Sequence, residues 1–374
     1  MASNPVSPVT YLAPPGAAAG DGLPLGRRGV ELGRVGIERD STPPDPEWIG
    51  QRWRRQQPTV VPDFLADELA GAATDIAVTE DLVAAILDDQ EPEDLLTASP
   101  YDQRLGDRFA LISSVWDEGD DQEIVTLEFD ALDGDEVIAE GLWCKLSWLS
   151  FHEHDASLRF RFSFGLANYE DVAADFLRQR LSSELAEAVF PESRLIAANP
   201  RLDRLLGTAL GEPELAYVER IVYFNGPDGG AQFHQDVERG HLGVVYAQVS
   251  GRTLWLALAK AELVAEIQAF MAGPAAAGLD PAMAEAIRDQ LDTDRLNQWL
   301  DEPDNDPLDQ LINATPAFIR QLIEHGHGYA LGPGDIMLLP QGDLDACCWH
   351  TVFCLGEEMG EALSFAVRAQ PENP

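Results

Sequence analysis

Residues 243–258 read GVVYAQVSGRTLWLAL, a run rich in β-branched, aromatic and aliphatic residues. Such a composition predicts strands in a buried sheet. Residues 218–224 read VERIVYF and predict another strand, and the triplet His234-Gln235-Asp236 lies between the two stretches. We therefore expect the triplet in or beside a sheet, where alternation would send His234 and Asp236 to the same face.

A second block near the end of the chain has the same character. Residues 333–340 read PGDIMLLP, in which Gly334-Asp335 predicts a turn into a short strand that Pro340 ends. His350 lies in the next predicted strand, WHTVFC, and residues 362–368 (ALSFAVR) form the last one. Short strands with turns around a histidine-lined interior predict a small β-barrel or jelly roll.

Together the two blocks supply two imidazoles and one carboxylate, from His234, His350 and Asp236. This set holds mononuclear non-haem Fe(II) and leaves open positions for a chelating cosubstrate and O₂. With 7 His and 65 acidic residues in 374, a His-x-acid triplet is expected roughly once by chance. The flanking strands therefore carry the specificity, and an oxygenase is the leading hypothesis.

Residues 229–258 and 328–368 resemble the Jumonji-C branch of the cupin superfamily. The shared pieces are the His-x-Asp triplet, the segment AQVSGRTLW, which is similar to the family's strand ending in Gly-x-Lys-x-Trp, and GPGDIMLLP followed by Trp349-His350. The resemblance implies an Fe(II)- and 2-oxoglutarate-dependent oxygenase built on a double-stranded β-helix, also called a jelly-roll or cupin barrel. It also implies that His234, Asp236 and His350 are the metal ligands and the catalytic centre.

One position departs from the family pattern. The family places a lysine two residues after the strand glycine to pair with the distal carboxylate of 2-oxoglutarate, and here that position is Thr253. A buried dicarboxylate still needs a cation, because an unpaired buried charge costs several kcal/mol or more. Arg368 on the last strand is the better candidate, since alternation would point Arg252 away from the barrel. Thr253 and Tyr223 could add hydroxyl donors.

Composition narrows the classes of partner. The net charge of −40 repels phosphate backbones, so nucleic acid is not expected as a partner. The negative charge is explained most simply by solubility. The functional alternative is that it attracts a cationic substrate. The four cysteines show no disulfide or zinc spacing and predict buried free thiols. We found neither a long apolar segment nor a signal peptide, so we expect no membrane partner and a cytoplasmic location.

The fold class predicted is α+β, in three parts. Residues 1–45, rich in Pro, Gly and Ala, are expected to form a disordered or extended arm. Residues 46–215 predict an α+β N-terminal region packed on the barrel. Residues 216–374 predict the barrel itself, with flanking helices and a helical insertion at 260–327. We expect the insertion near the barrel mouth as a lid, or as the surface of a homodimer.

Three functions remain open at this point. The first is hydroxylation of an unactivated C–H bond in an amino-acid, peptide or natural-product substrate, with Fe(II), 2-oxoglutarate and O₂. The second is a cupin-type metal-dependent dioxygenase or isomerase that does not use 2-oxoglutarate, and Thr253 is its main support. The third is a non-catalytic barrel kept as a binding module, which the intact triad argues against.

Overall fold

The computed structural model describes residues 9–17, 22–39, 42–117, 124–149, 157–164, 175–212, 214–238, 240–302 and 306–369. Within them the chain forms sixteen strands and twelve α helices, and every strand pair is antiparallel. None of the helices described is both long enough and apolar enough to cross a membrane. The four cysteines are buried and form no disulfide bond, as predicted.

The N-terminal segment contains a small sheet. Strands β1 (Val9–Ala13), β2 (Leu23–Arg27) and β3 (Val30–Ile37) pair in the order β1-β3-β2. The expectation of a disordered or extended arm is therefore wrong for these residues. Leu25, Leu32 and Val35 are fully buried against the rest of the molecule. The Pro- and Gly-rich composition hid this contribution, because the three side chains gain their burial from contacts distant in sequence.

The largest sheet has nine strands and joins the two halves of the chain. Five of its strands lie before residue 215, so the sheet crosses the predicted boundary between the N-terminal region and the barrel. In spatial order its strands are β4 (Thr59–Val61), β14 (Ile336–Pro340), β11 (Gly243–Gln248), β16 (Gly360–Ala369), β9 (Leu215–Asn225), β8 (Leu158–Phe164), β7 (Glu136–Trp148), β6 (Ile124–Asp133) and β5 (Phe109–Asp117).

A four-stranded sheet faces one part of this large sheet. In spatial order its strands are β10 (Gly230–His234), β15 (Cys348–Cys354), β12 (Thr253–Ala259) and β13 (Gly328–Leu331). Tyr246 and Met337 of the large sheet belong to one buried cluster with Trp255 and Val352 of the small sheet. The inner faces of the two sheets therefore pack on each other, as alternation along strands requires.

Helices cover the outer faces of both sheets. Those of the N-terminal region lie on the large sheet, where Phe190 packs with Phe160 and Phe224. They are α1 (Pro46–Trp53), α2 (Ala66–Leu87), α3 (Pro92–Leu96), α4 (Tyr101–Leu105), α5 (Phe176–Val189), α6 (Arg194–Ala197) and α7 (Pro200–Leu210).

The remaining helices interrupt the strands of the small sheet. They are α8 (Lys260–Ala272), α9 (Pro281–Arg288), α10 (Thr293–Leu300), α11 (Asp306–Ala314) and α12 (Pro316–Glu324). Their apolar side chains pack on Leu254, Leu256 and Leu258, which point outward from β12. Strand β12 is therefore buried on both faces, which explains its uninterrupted apolar sequence.

Candidate metal centre

The two histidines of the predicted triad lie directly opposite each other on neighbouring strands. His234 ends β10, and its partner in the antiparallel ladder is His350 on β15. Their ring centroids are 4.2 Å apart. Asp236 lies two residues beyond the end of β10, so the loop that follows the strand brings the carboxylate to the histidines. Alternation within a strand, which we expected, does not place it.

An irregularity in β10 sets the direction of His234. The step from Ala231 to His234 spans three residues on β10, whereas their partners Val352 and His350 are two residues apart on β15. The extra residue is a β-bulge, a feature that bends a strand and re-aims its side chains. Gly230 begins the strand at φ +125°, and a Cβ there would meet the carbonyl oxygen of Val352 at 2.1 Å.

Hydrogen bonds orient both imidazoles. The Nδ1 of His234 lies 2.7 Å from the carbonyl oxygen of Gln232, and the Nδ1 of His350 lies 3.5 Å from that of Cys348. A carbonyl can only accept, so each Nδ1 carries the proton in this arrangement and each Nε2 keeps its lone pair. This is the tautomer that a metal-binding histidine uses when its second nitrogen is held by the backbone.

The environment also keeps His350 neutral. Its side chain is 2% exposed, and Trp255 stacks on its ring at 5.2 Å between centroids. Burial, and to a smaller extent the neighbouring His234, lower the pKa of His350 to about 4. His350 is therefore uncharged at neutral pH and able to donate its lone pair.

The donor set fits one divalent metal ion. The Nε2 of His234 is 3.5 Å from Asp236 Oδ1, and the Nε2 of His350 is 3.4 Å from Asp236 Oδ2. Two ligands at right angles, each about 2.1 Å from a metal, stand about 3 Å apart. One ligand atom from each of the three residues lies within 4.8 Å of the others. Small side-chain adjustments would therefore bring all three onto a common ion.

A small cavity that opens to solvent adjoins the triad. Its remaining lining combines apolar side chains with polar groups of the large sheet: Leu149, Tyr223, Asn225, Gly230, Ala231, Tyr246, Trp255, Leu339, Val352 and Ser364. None of these lining residues belongs to helices α8–α12, which pack on the outer face of the small sheet. The lid expected from the sequence is therefore not formed by this part of the described chain.

The predicted cosubstrate residues lie in different surroundings. Tyr223 lines the cavity. Thr253 is buried, and its hydroxyl donates to Gln248 Oε1 at 2.8 Å and accepts from Trp255 Nε1 at 3.0 Å. Arg368 is buried on β16 but is not part of the cavity lining described above. It lies near His241, whose pKa is lowered to about 4, first by burial and then by the positive charge of Arg368.

One cationic residue beside the cavity was missed. Arg159 on β8 is the ladder partner of Tyr223 on β9, and its positive charge acts on the tyrosine hydroxyl. Burial raises the pKa of Tyr223, and the charge of Arg159 opposes that rise. The sequence did contain a signal, because SLRFRFSFG alternates buried phenylalanines with arginines on the opposite face.

Comparison with known proteins adds only distant similarities. No family model matches the chain, and no curated protein matches it. A solved oxidoreductase of the 2OG-Fe(II) oxygenase family from Burkholderia pseudomallei is 9% identical with a TM-score of 0.33, over 88% of this chain and 93% of that one. YcfD, a ribosomal oxygenase from Escherichia coli, is 14% identical with a TM-score of 0.23, over 75% of this chain. The match spans 44% of the YcfD chain, and the YcfD structure with cobalt and succinic acid has a TM-score of 0.25. Likeness at this level carries no conclusion about activity or substrate.

Proposed function

We propose that this protein is an Fe(II)- and 2-oxoglutarate-dependent oxygenase that hydroxylates an unactivated C–H bond of an amino-acid, peptide or natural-product substrate. The observation that carries the proposal is the convergence of His234, Asp236 and His350 at an open cavity between two sheets. Two neutral ligands and one anion, with solvent-accessible space beside them, are the arrangement that mononuclear non-haem iron oxygenases use.

The strand order supports a double-stranded β-helix for the barrel. Successive strands from β9 to β16 are shared between two sheets, in the orders β14-β11-β16-β9 and β10-β15-β12-β13. Each sheet thus interleaves early and late strands, as the paired Greek keys of a jelly roll do. We retain residues 216–374 as this barrel with its insertion at 260–327, and residues 46–215 as the region that extends its large sheet.

In this proposal bound Fe(II), with 2-oxoglutarate and O₂, supplies the oxidising power. The protein binds the metal through His234, Asp236 and His350 and holds each imidazole in the required tautomer. Trp255 packs against the His350 ring and shields that side of the centre from water. The polar groups of Tyr223, Asn225 and Ser364 would orient the ligands that share the cavity with the metal.

A cation must still balance the distal carboxylate of 2-oxoglutarate. Arg368 is the residue that the sequence predicts, with Thr253 and Tyr223 as hydroxyl donors. Arg159 is a second candidate, because its ladder partner Tyr223 lines the cavity. We favour Arg159, because it neighbours the lining residue Tyr223, whereas Arg368 lies near His241 and outside the cavity lining.

The first test is loss of the metal in His350→Ala. The wild-type protein should bind one Fe(II), and anaerobic addition of 2-oxoglutarate should give a weak visible charge-transfer band. His350→Ala removes a ligand, so iron affinity should fall by orders of magnitude and the band should disappear. His325→Ala is the matched control, because His325 pairs with Glu266 on α8 and does not line the cavity. Stoichiometric iron in His350→Ala would refute the triad.

The second test compares Arg159→Met with Arg368→Met. We expect Arg159→Met to weaken 2-oxoglutarate binding by about 2 kcal/mol, roughly 30-fold, because a buried charge-assisted pair is lost. Calorimetry on the Mn(II)-loaded protein measures this without turnover. A loss confined to Arg368→Met would instead support the prediction from the sequence.

The alternative is a cupin-type metal-dependent dioxygenase or isomerase that does not use 2-oxoglutarate. The specific observation in its favour is Thr253, which stands where the family has a lysine. The Thr253 hydroxyl is hydrogen-bonded to Gln248 and Trp255 within the buried interior. Wild-type protein that binds Fe(II) but shows no heat of binding with 2-oxoglutarate would establish this alternative.

A further inference from the structure

Arg27, at the end of β2, is a buried arginine that reaches the strands carrying both histidines. It is 5% exposed. Its guanidinium donates to the carbonyl oxygen of Ala231 on β10 and to Oγ1 of Thr351 on β15. It also donates to the carbonyl oxygen of Val352 at 3.3 Å and lies 4.8 Å from the centre of the Phe353 ring. Arg27 therefore bridges β10 and β15 on the face opposite the cavity.

The insertion helices contribute to the same group of contacts. Oδ1 of Asn313 on α11 accepts from Arg27 at 3.0 Å and from the backbone N–H of Phe233 at 2.7 Å. The side-chain amide of Asn313 donates to Asp309 at 2.8 Å, which fixes its orientation. Phe233 directly precedes His234, so Asn313 holds the backbone next to a metal-binding residue.

These contacts coincide with the β-bulge. Between Ala231 and His234 the regular ladder between β10 and β15 is interrupted, and a bulge leaves backbone groups without their ladder partners. A buried backbone group that loses its hydrogen bond destabilises the folded state. Here Asn313 takes the N–H of Phe233, while Arg27 and Thr351 take the carbonyl of Ala231. Polar side chains thus stabilise the irregular backbone that aims His234.

We propose that Arg27, acting with Asn313, is a positioning residue of the metal centre: it holds the β10 bulge against β15 so that His234 and His350 meet on one ion. This inference rests on the proposed function, because it assumes that the two histidines bind a metal. Only a planar guanidinium has donors that reach two strands and a helix at once, whereas a lysine ammonium is a single point of charge.

The acceptors around Arg27 are four uncharged oxygens. Neutral acceptors allow the N-terminal sheet to dock without a buried carboxylate close to the metal ligands, where a second negative charge would compete with Asp236. Burial lowers the pKa of Arg27 to about 9, with a further contribution from the neighbouring Arg28. Arg27 is still protonated at neutral pH and keeps all its donors.

The experiment measures metal affinity in Arg27→Met with Co(II) or Mn(II) alone, by calorimetry and by the Co(II) absorption spectrum. We expect affinity to fall at least 10-fold, the usual effect of removing a group that orients metal ligands, and the Co(II) spectrum to change. Arg27→Lys should recover only part of the affinity. Leu25→Ala is the matched control, because it removes a buried side chain from the same strand. It should lower the thermal midpoint and leave the metal affinity of the folded protein within twofold of wild type.

The measurements distinguish failure of the metal centre from failure of the positioning role. Wild-type protein that binds neither metal refutes the metal centre itself. Wild-type binding with unchanged affinity and spectrum in a folded Arg27→Met refutes the positioning role alone. If Arg27→Met does not fold, Thr351→Val and Asn313→Leu decide, since each removes the hydrogen bonds of one other side chain of the group. Both should weaken metal binding several-fold, and unchanged affinity in both would overturn the proposal.

Discussion

Two buried carboxyl groups meet away from the metal centre, under the large sheet. Glu192 and Glu361 are each 1% exposed, and their side chains lie close enough for the charge of Glu192 to act on Glu361. The hydroxyl of Thr79 on α2 donates a hydrogen bond to Glu192 Oε1 at 2.7 Å. Burial raises the pKa of both groups, and the negative charge of Glu192 raises that of Glu361 further.

This pair predicts a stability that falls as pH rises. An unfolded glutamic acid loses its proton near its ordinary pKa, whereas folded Glu361 retains it to a much higher pH. The folded state therefore binds more protons above that ordinary value, and stability declines from there upward. Glu361→Gln cannot ionise and keeps a hydrogen-bond donor. We expect it to raise the thermal midpoint at pH 8 relative to wild type and to flatten the decline between pH 5 and pH 8. An equal decline in both proteins would contradict this account.

Among the elements, the N-terminal sheet has the largest consequence for stability. It buries Leu25, Leu32 and Val35 completely, and it packs against β15 and α12 rather than standing apart. Each such side chain contributes about 1.5–3 kcal/mol through burial. The sheet is therefore a structural layer over the small sheet, and Arg27 ties it to the strands of the metal centre.

Deleting residues 2–38 should destabilise the protein strongly. Loss of three fully buried side chains predicts a fall in thermal midpoint of at least about 8 °C, together with weakened metal binding because Arg27 is removed. Thermal unfolding followed by circular dichroism measures the first effect. Leu12→Ser on β1 is the control, since Leu12 is 46% exposed and its replacement should change the midpoint little. A midpoint within about 2 °C of wild type after the deletion would show that the sheet adds no stability.

At the scale of the whole molecule, local sequence patterns predicted the strands around the triad and the meeting of His234, Asp236 and His350. Among those strands, β11, β12, β14 and β15 are buried along their whole length, so their composition is distinctive. The N-terminal sheet and the position of the insertion could not be predicted in this way. They depend on the surface against which an apolar face packs. The apolar pattern of α8 or β2 predicts that the element is buried, but it does not identify the surface that covers it. The link from Arg27 to Asn313 spans 286 residues, so it could not be inferred from local sequence.

The interleaved strand order also bears on how the protein is made. β15 lies between β10 and β12 in the small sheet, and β16 lies between β11 and β9 in the large one. During synthesis, the earlier strands leave the ribosome before the strands that separate them exist. Neither sheet can close until residues 348–369 have emerged, so the nascent chain must carry unpaired, apolar strand edges from the emergence of β9 until that point. Such non-local pairing makes folding slow and exposes the chain to aggregation. The charge of −40 then acts before the native state forms, because mutual repulsion keeps incomplete chains apart.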